Sequence, residues 1–138
     1  MKITVIGPGA IGLVLAGSLD SKNQVSVLTK PEAYEKLKQN GLWIKERNKK
    51  RKINAKIITE IDDSEIVIIA VKGYDLDTAV NLLHNFKGKV IICQNGLKML
   101  NLNLKHNNDI NAIVTSMGAI STNDGVTEFK GTGKTVLG

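Results

Sequence analysis

Apolar residues fall into short β-branched runs separated by polar breaks, most of which contain glycine, asparagine or proline. Residues 2–6 (KITVI) predict a strand, and the stretch 10–19 (AIGLVLAGSL) beyond Gly7-Pro8-Gly9 predicts an apolar helix. QVSVL at 24–28 reads as a second strand. Pro31 suits the first turn of a helix over 31–39, closed by Asn40-Gly41. Residues 42–45 and 52–58 predict two strands around a polar turn near 47–50. After Asp62-Asp63, the continuous apolar run 65–71 has the character of a strand buried on both faces in a parallel sheet. Asp75 is placed to cap a helix reaching about residue 83. Residues 89–93 predict the next buried strand, 96–104 a short helix or irregular segment, and 111–115 a further strand. Two last runs, 126–130 and 134–137, are flanked by Gly125 and by Gly131-Thr132-Gly133, and predict a closing hairpin.

Strands alternating with helices require crossover connections, hence a mostly parallel, doubly wound α/β sheet with helices on both faces. A length of 138 residues corresponds to one domain, here 1–138. The pattern also disposes of a false lead. Uncharged residues 3–19 behind Lys2 resemble a signal peptide, but Gly7-Pro8-Gly9 splits the run in two. It is too short and too broken to span a bilayer, so a cytoplasmic protein is expected.

Composition adds a few constraints. Five aromatic residues (Tyr34, Trp43, Tyr74, Phe86, Phe129) leave the core to Ile, Val, Leu and Ala. Cys93, the single cysteine, excludes an intrachain disulfide, and its apolar surroundings suit a buried thiol rather than a nucleophile. His84 and His106 lack ligand-like spacing, so no metal is expected. The net charge of +6 owes much to residues 45–56 (KERNKKRKINAK). Such a segment suits either a solvated hairpin tip or an anionic partner. No aromatic interleaves with these charges, so a stacking surface for nucleic acid is not expected.

Candidate chemistry starts at the first turn. Gly7-Pro8-Gly9-Ala10-Ile11-Gly12 matches G-x-G-x-x-G between a predicted strand and a predicted helix, the setting of a Rossmann-type dinucleotide site. The first glycine permits the turn, the second admits the pyrophosphate, and the third lets helix and strand pack closely. The end of the second strand selects the dinucleotide. An NAD site places an acid there, about 20 residues past the first glycine, to bond the ribose hydroxyls. Val27-Leu28-Thr29-Lys30 offers instead a hydroxyl and a cation, which suit a 2′-phosphate and hence NADPH/NADP; Glu32 lies beyond Pro31.

Further along, Val71-Lys72-Gly73-Tyr74-Asp75, Gln94-Asn95-Gly96 and Gly118-Ala119 follow in an order and spacing that, with the glycine turn, resemble the N-terminal domain of ketopantoate reductase (2-dehydropantoate 2-reductase). The likeness runs through the segment 131–138. It implies NADPH-dependent reduction of a 2-keto acid to (R)-pantoate, in pantothenate and coenzyme A biosynthesis. It also implies that Gly7, Pro8, Gly9, Ala10, Ile11 and Gly12 hold the pyrophosphate and Lys30 the adenosine 2′-phosphate. Lys72 then lies along the cofactor near the nicotinamide, Asn95 between nicotinamide and substrate, and Ala119 in the wall of the cleft. The family's general-acid lysine and most substrate contacts come from a helical C-terminal domain outside residues 1–138. No catalytic residue is therefore expected within this chain, nor turnover by it alone; its partners would be a 2-keto acid and that domain or a partner chain. Alternatives are another NADP-dependent 2-hydroxy acid oxidoreductase and a nucleotide-sensing regulatory domain, with nucleic-acid binding through 45–56 a weaker one.

Overall fold

In a computed structural model of the chain, residues 1–93, 110–115, 117–122, 125–131 and 135–137 are described. The first elements follow the hydrophobic pattern: β1 (Lys2–Ile6), α1 (Ala10–Leu19), β2 (Gln24–Leu28) and α2 (Pro31–Asn40). Pro31 opens α2 and Gly41, at φ +76°, follows its end, where its N–H bonds the Leu37 carbonyl at 2.8 Å. Next come β3 (Trp43–Glu46), β4 (Lys49–Lys52), β5 (Ala55–Ile58), β6 (Ile66–Ile69), a 3₁₀ turn (Gly73–Asp75), α3 (Leu76–Asn81) and β7 (Lys89–Cys93). The last strands are β8 (Ile110–Thr115), β9 (Gly118–Ser121), β10 (Val126–Gly131) and β11 (Thr135–Leu137). The expected helix or irregular segment over 96–104 lies outside the described residues.

The main sheet runs β11-β8-β7-β6-β1-β2-β5, with every pairing parallel except that of β11 with β8. This is the expected doubly wound α/β sheet. Alternation along its strands sorts the core into two faces. Ile3, Val5, Val25, Val27 and Ile68 pack with Leu13 and Ala16 of α1 and Leu37 of α2. Ile6, Leu28, Val67, Ile69, Val90 and Ile92 pack with Leu76, Ala79 and Val80 of α3. The buried hydrophobic residues include no aromatic, and Cys93 is among them; burial raises its thiol pKa, which disfavours the thiolate.

Three expectations need correction. The strand expected over 52–58 is two strands in two sheets. Ile53, 2% exposed, donates its N–H to Leu42, and Asn54 donates its N–H to Asp20, so the chain leaves one sheet and enters the other there. The closing hairpin does not form: β10 pairs with β3 and β9, whereas β11 pairs with β8. Finally, Asp75 occupies the position before α3 but makes no side-chain cap bond, and the helix is shorter than expected.

The second sheet, β4-β3-β10-β9, was not expected and explains the character of α1. This helix contacts β1 and β2 on one side and β3, β9 and β10 on another. A helix held between two sheets is apolar all round, without a polar stripe. The basic segment forms the edge of this second sheet. All four residues of β4 are exposed, Lys50 stands over the Trp43 ring at 4.9 Å, and Arg51 turns back to Asp20 at 2.9 Å. Charged edge strands block pairing with other chains, which accounts for β4 without an anionic partner.

At the N-terminal end of the sheet, hydroxyls from three segments converge on Asp62. Thr4 donates to its Oδ1 at 3.1 Å, Ser26 donates to Oδ2 at 3.0 Å, and Ser64 also donates to Oδ1. Burial pushes the carboxyl pKa up, but these bonds outweigh it and hold it below its ordinary value. The unfolded chain therefore takes up this proton at higher pH than the folded chain does. The stabilisation is present above the unfolded carboxyl value, about 3.9, and fades as pH falls through the lower folded value. Asp62→Ala is expected to lose about 1–2 kcal/mol at neutral pH, and less in acid, the figure being reduced because the carboxylate is only half-buried. Urea unfolding of both proteins at neutral and acid pH measures this; a loss independent of pH would show that the ionised form carries none of it.

No helix among the described residues is long and apolar enough to cross a membrane.

Candidate cofactor site

Parallel strands bring the ends of β1, β2, β6 and β7 to one edge, and β1 lies where the order reverses, with β2 on one side and β6 on the other. A crevice at such a reversal is where doubly wound sheets bind ligands. The glycine turn sits in it. The Gly7 N–H bonds the Leu28 carbonyl at 3.1 Å, and the Ala70 N–H bonds the Ile6 carbonyl at 2.9 Å, which extends the ladder on both sides of the turn.

Each glycine has its own constraint. Gly7 has φ +108°, and a Cβ there would lie 2.7 Å from the Ala70 carbonyl oxygen. A Cβ on Gly12 would overlap the Gly7 carbonyl oxygen, so this glycine lets α1 close onto the turn. Gly9 is the opposite case: it is exposed, and a Cβ would meet nothing within 4 Å. The open space lies at the start of α1. The first bond of that helix runs from the Leu13 N–H to the Gly9 carbonyl at 3.0 Å, so the N–H groups of Ala10, Ile11 and Gly12 precede it. No acid occupies this first turn. Orphan donors, a favourable dipole and open space suit the diphosphate of a dinucleotide. Pro8, Ala10 and Ile11 are half-buried around the turn.

Lys30 follows β2 on the same edge and is the exposed group there, Thr29 being only 3% exposed. The hydroxyl expected to accompany it is thus unavailable. The Lys30 ammonium donates to Asp75 Oδ1 at 3.2 Å, with the lysine side chain 62% and the aspartate side chain 28% exposed. Sequence reasoning missed this partner. Asp75 was expected to cap a helix, and 45 residues separate the pair. Lys72 is exposed at the start of the 3₁₀ turn, its carbonyl accepting the Asp75 N–H at 2.8 Å. It belongs to the same edge through β6.

Ala119 lies half-buried in β9, in the second sheet, which contacts α1. Its strand is therefore brought to the helix that starts at the glycine turn, although not to the main sheet. Asn95 lies outside the described residues. A further residue without a sequence signal is Thr127 of β10, fully buried, whose hydroxyl donates to the Ala10 carbonyl at 2.9 Å. It ties the second sheet to the first residue of α1.

Comparison with known proteins agrees with this geometry. A family model described as ketopantoate reductase PanE/ApbA matches residues 3–138. A 2-dehydropantoate 2-reductase of Pyrococcus horikoshii is 31% identical over 147 aligned positions, covering 100% of this chain and 47% of that protein. The crystal structure of a probable 2-dehydropantoate 2-reductase from Bacillus subtilis superposes with a TM-score of 0.86 at 24% identity, over 95% of this chain and 47% of that one. A D-mandelate dehydrogenase in complex with NADH and anilino(oxo)acetate has a TM-score of 0.81 at 21% identity, over 99% of this chain and 48% of that one. Both structural likenesses bear on fold alone, and the chain spans about half the length of its curated relative. With the family model matched over residues 3–138, the chain belongs to the ketopantoate reductase family.

Proposed function

We propose that this chain is the NADPH-binding half of a cytoplasmic 2-keto acid reductase, with 2-dehydropantoate as its first candidate substrate. The observation that carries the reading is the placement of Lys30. A cation stands at the end of β2, beside a glycine turn whose open face adjoins the helix start. The backbone of Gly7, Pro8, Gly9, Ala10, Ile11 and Gly12 holds the diphosphate, and the Lys30 ammonium meets the 2′-phosphate. When bound, the dinucleotide supplies a hydride for the carbonyl carbon. Lys72 lies along the nicotinamide side, Asn95 is assigned to the junction with substrate, and Ala119 to the cleft wall. A reduced ketone needs a proton, and the family resemblance gives Lys72 a cofactor role rather than that of donor. The proton donor and the walls around the keto acid are therefore assigned to the rest of the relatives' length, and the 138-residue chain is not competent alone. The alternative within the same reading is another 2-hydroxy acid, since the residues that would select the substrate are assigned outside this chain.

Calorimetric titration of the chain with NADPH and NADH tests the assignment. A charge-assisted contact to the 2′-phosphate is worth roughly 1.5–3 kcal/mol, so NADPH is expected to bind about 10- to 100-fold more tightly. Lys30→Glu is expected to remove that preference. Equal affinities of the wild-type chain for the two dinucleotides would refute it.

A further inference from the structure

The bond between Lys30 and Asp75 crosses the cofactor edge. Lys30 follows β2 and Asp75 follows β6, and β1 with its glycine turn lies between those strands. A dinucleotide with its diphosphate on α1 directs its adenosine toward the end of β2. It would therefore meet a lysine already engaged by a carboxylate. Asp75 makes no cap bond to α3, so holding that helix does not account for the placement of its side chain.

Sites for NAD place an acid at the ribose hydroxyls, and no residue at the end of β2 supplies one. Asp75, 3.2 Å from the Lys30 ammonium, brings that acid to the site from another strand. We propose that Asp75 is a specificity-determining residue of the cofactor site, resting on the NADPH reading above. Its carboxylate competes with the 2′-phosphate for Lys30 and repels it, and it accepts a hydrogen bond from the 2′-hydroxyl of NADH. The pair thus keeps the preference for NADPH below the one that Lys30 alone would set.

Asp75→Asn is the sharpest test, because asparagine is as good as aspartate before a helix and removes only the charge. Wild type, Asp75→Asn and Lys30→Ala would each be titrated with NADPH and NADH, with thermal melts to establish folding. Asp75→Asn is expected to tighten NADPH and to weaken or spare NADH, raising the affinity ratio roughly three- to tenfold. Lys30→Ala is expected to weaken NADPH and leave NADH nearly unchanged. A ratio within twofold of wild type in Asp75→Asn, with Lys30→Ala behaving as expected, overturns the role of Asp75 while leaving the cofactor reading intact. Unchanged NADPH binding in Lys30→Ala overturns the cofactor reading itself, and this proposal with it. Should Asp75→Asn fail to fold, Asp75→Ser also preserves a helix-start residue and carries the same expectation.

Discussion

Gly9→Val is expected to leave the chain folded and to reduce dinucleotide binding by about 100-fold or more. The fold should tolerate it because a Cβ at this position meets nothing within 4 Å, and Gly9 has φ −78°, which valine adopts. The open space is where a diphosphate would approach the N–H groups of Ala10, Ile11 and Gly12. Filling it with a branched side chain separates the anion from those donors and from the positive end of the helix. Loss of even two charge-assisted bonds, at about 1.5–3 kcal/mol each, exceeds the 2.7 kcal/mol or so that corresponds to a 100-fold change. Circular dichroism, a thermal melt and NADPH titration together decide it. A folded variant that binds within threefold of wild type would mean that the diphosphate does not lie on this turn.

The same turn illustrates what was legible in the chain before its structure. β1, α1, β2 and α2 could be bounded closely because three of the four breaks that follow them carry a residue with a backbone role: Gly7, Pro31, Gly41. The glycine turn of the candidate site was legible for the same reason, since a glycine motif between strand and helix has few other uses. Beyond residue 40 the local signals weaken. Nothing in residues 52–58 says that the chain changes sheets at Ile53, because both halves are ordinary strand sequence. The two C-terminal strands resembled a hairpin by proximity alone, yet β11 pairs with β8 across the intervening β9 and β10, and β10 pairs with the distant β3 as well as with the nearby β9. Pairing over such distances is decided by the burial of whole faces, which no local window contains.

The second sheet has a functional consequence. Thr127 grips the carbonyl of Ala10, and β3, β9 and β10 cover the side of α1 away from the main sheet. The helix whose start would receive an anion is thereby fixed from two sides. Preorganised donors bind without the entropy loss that a mobile helix end would suffer. Asp75 escaped detection for a related reason. Its role depends on Lys30, and only the order β6-β1-β2 places the two side chains together.

Gly12→Ala is expected to destabilise the fold strongly, although on propensity alone it should help. Alanine in place of glycine inside a helix gains about 1 kcal/mol. Here the added carbon would overlap the Gly7 carbonyl oxygen, which is backbone and held by the neighbouring bonds of Gly7 and Ala70. Relief requires α1 to move off the turn, and α1 is packed between two sheets. Overpacking of this kind costs roughly 3 kcal/mol or more where no flexible group can give way, leaving a net loss of at least 2 kcal/mol. The melting temperature should fall by roughly 6–10 °C, a large share of an ordinary stability margin. Gly17, later in the same helix, is the internal control. A Cβ there would sit 3.3 Å from the end of the flexible Arg51 side chain, so Gly17→Ala should lie within about 1 kcal/mol of wild type. Thermal and urea unfolding of the two variants separate the explanations. If Gly12→Ala is as stable as Gly17→Ala, the turn can yield, and close contact between Gly7 and Gly12 is not what requires the third glycine.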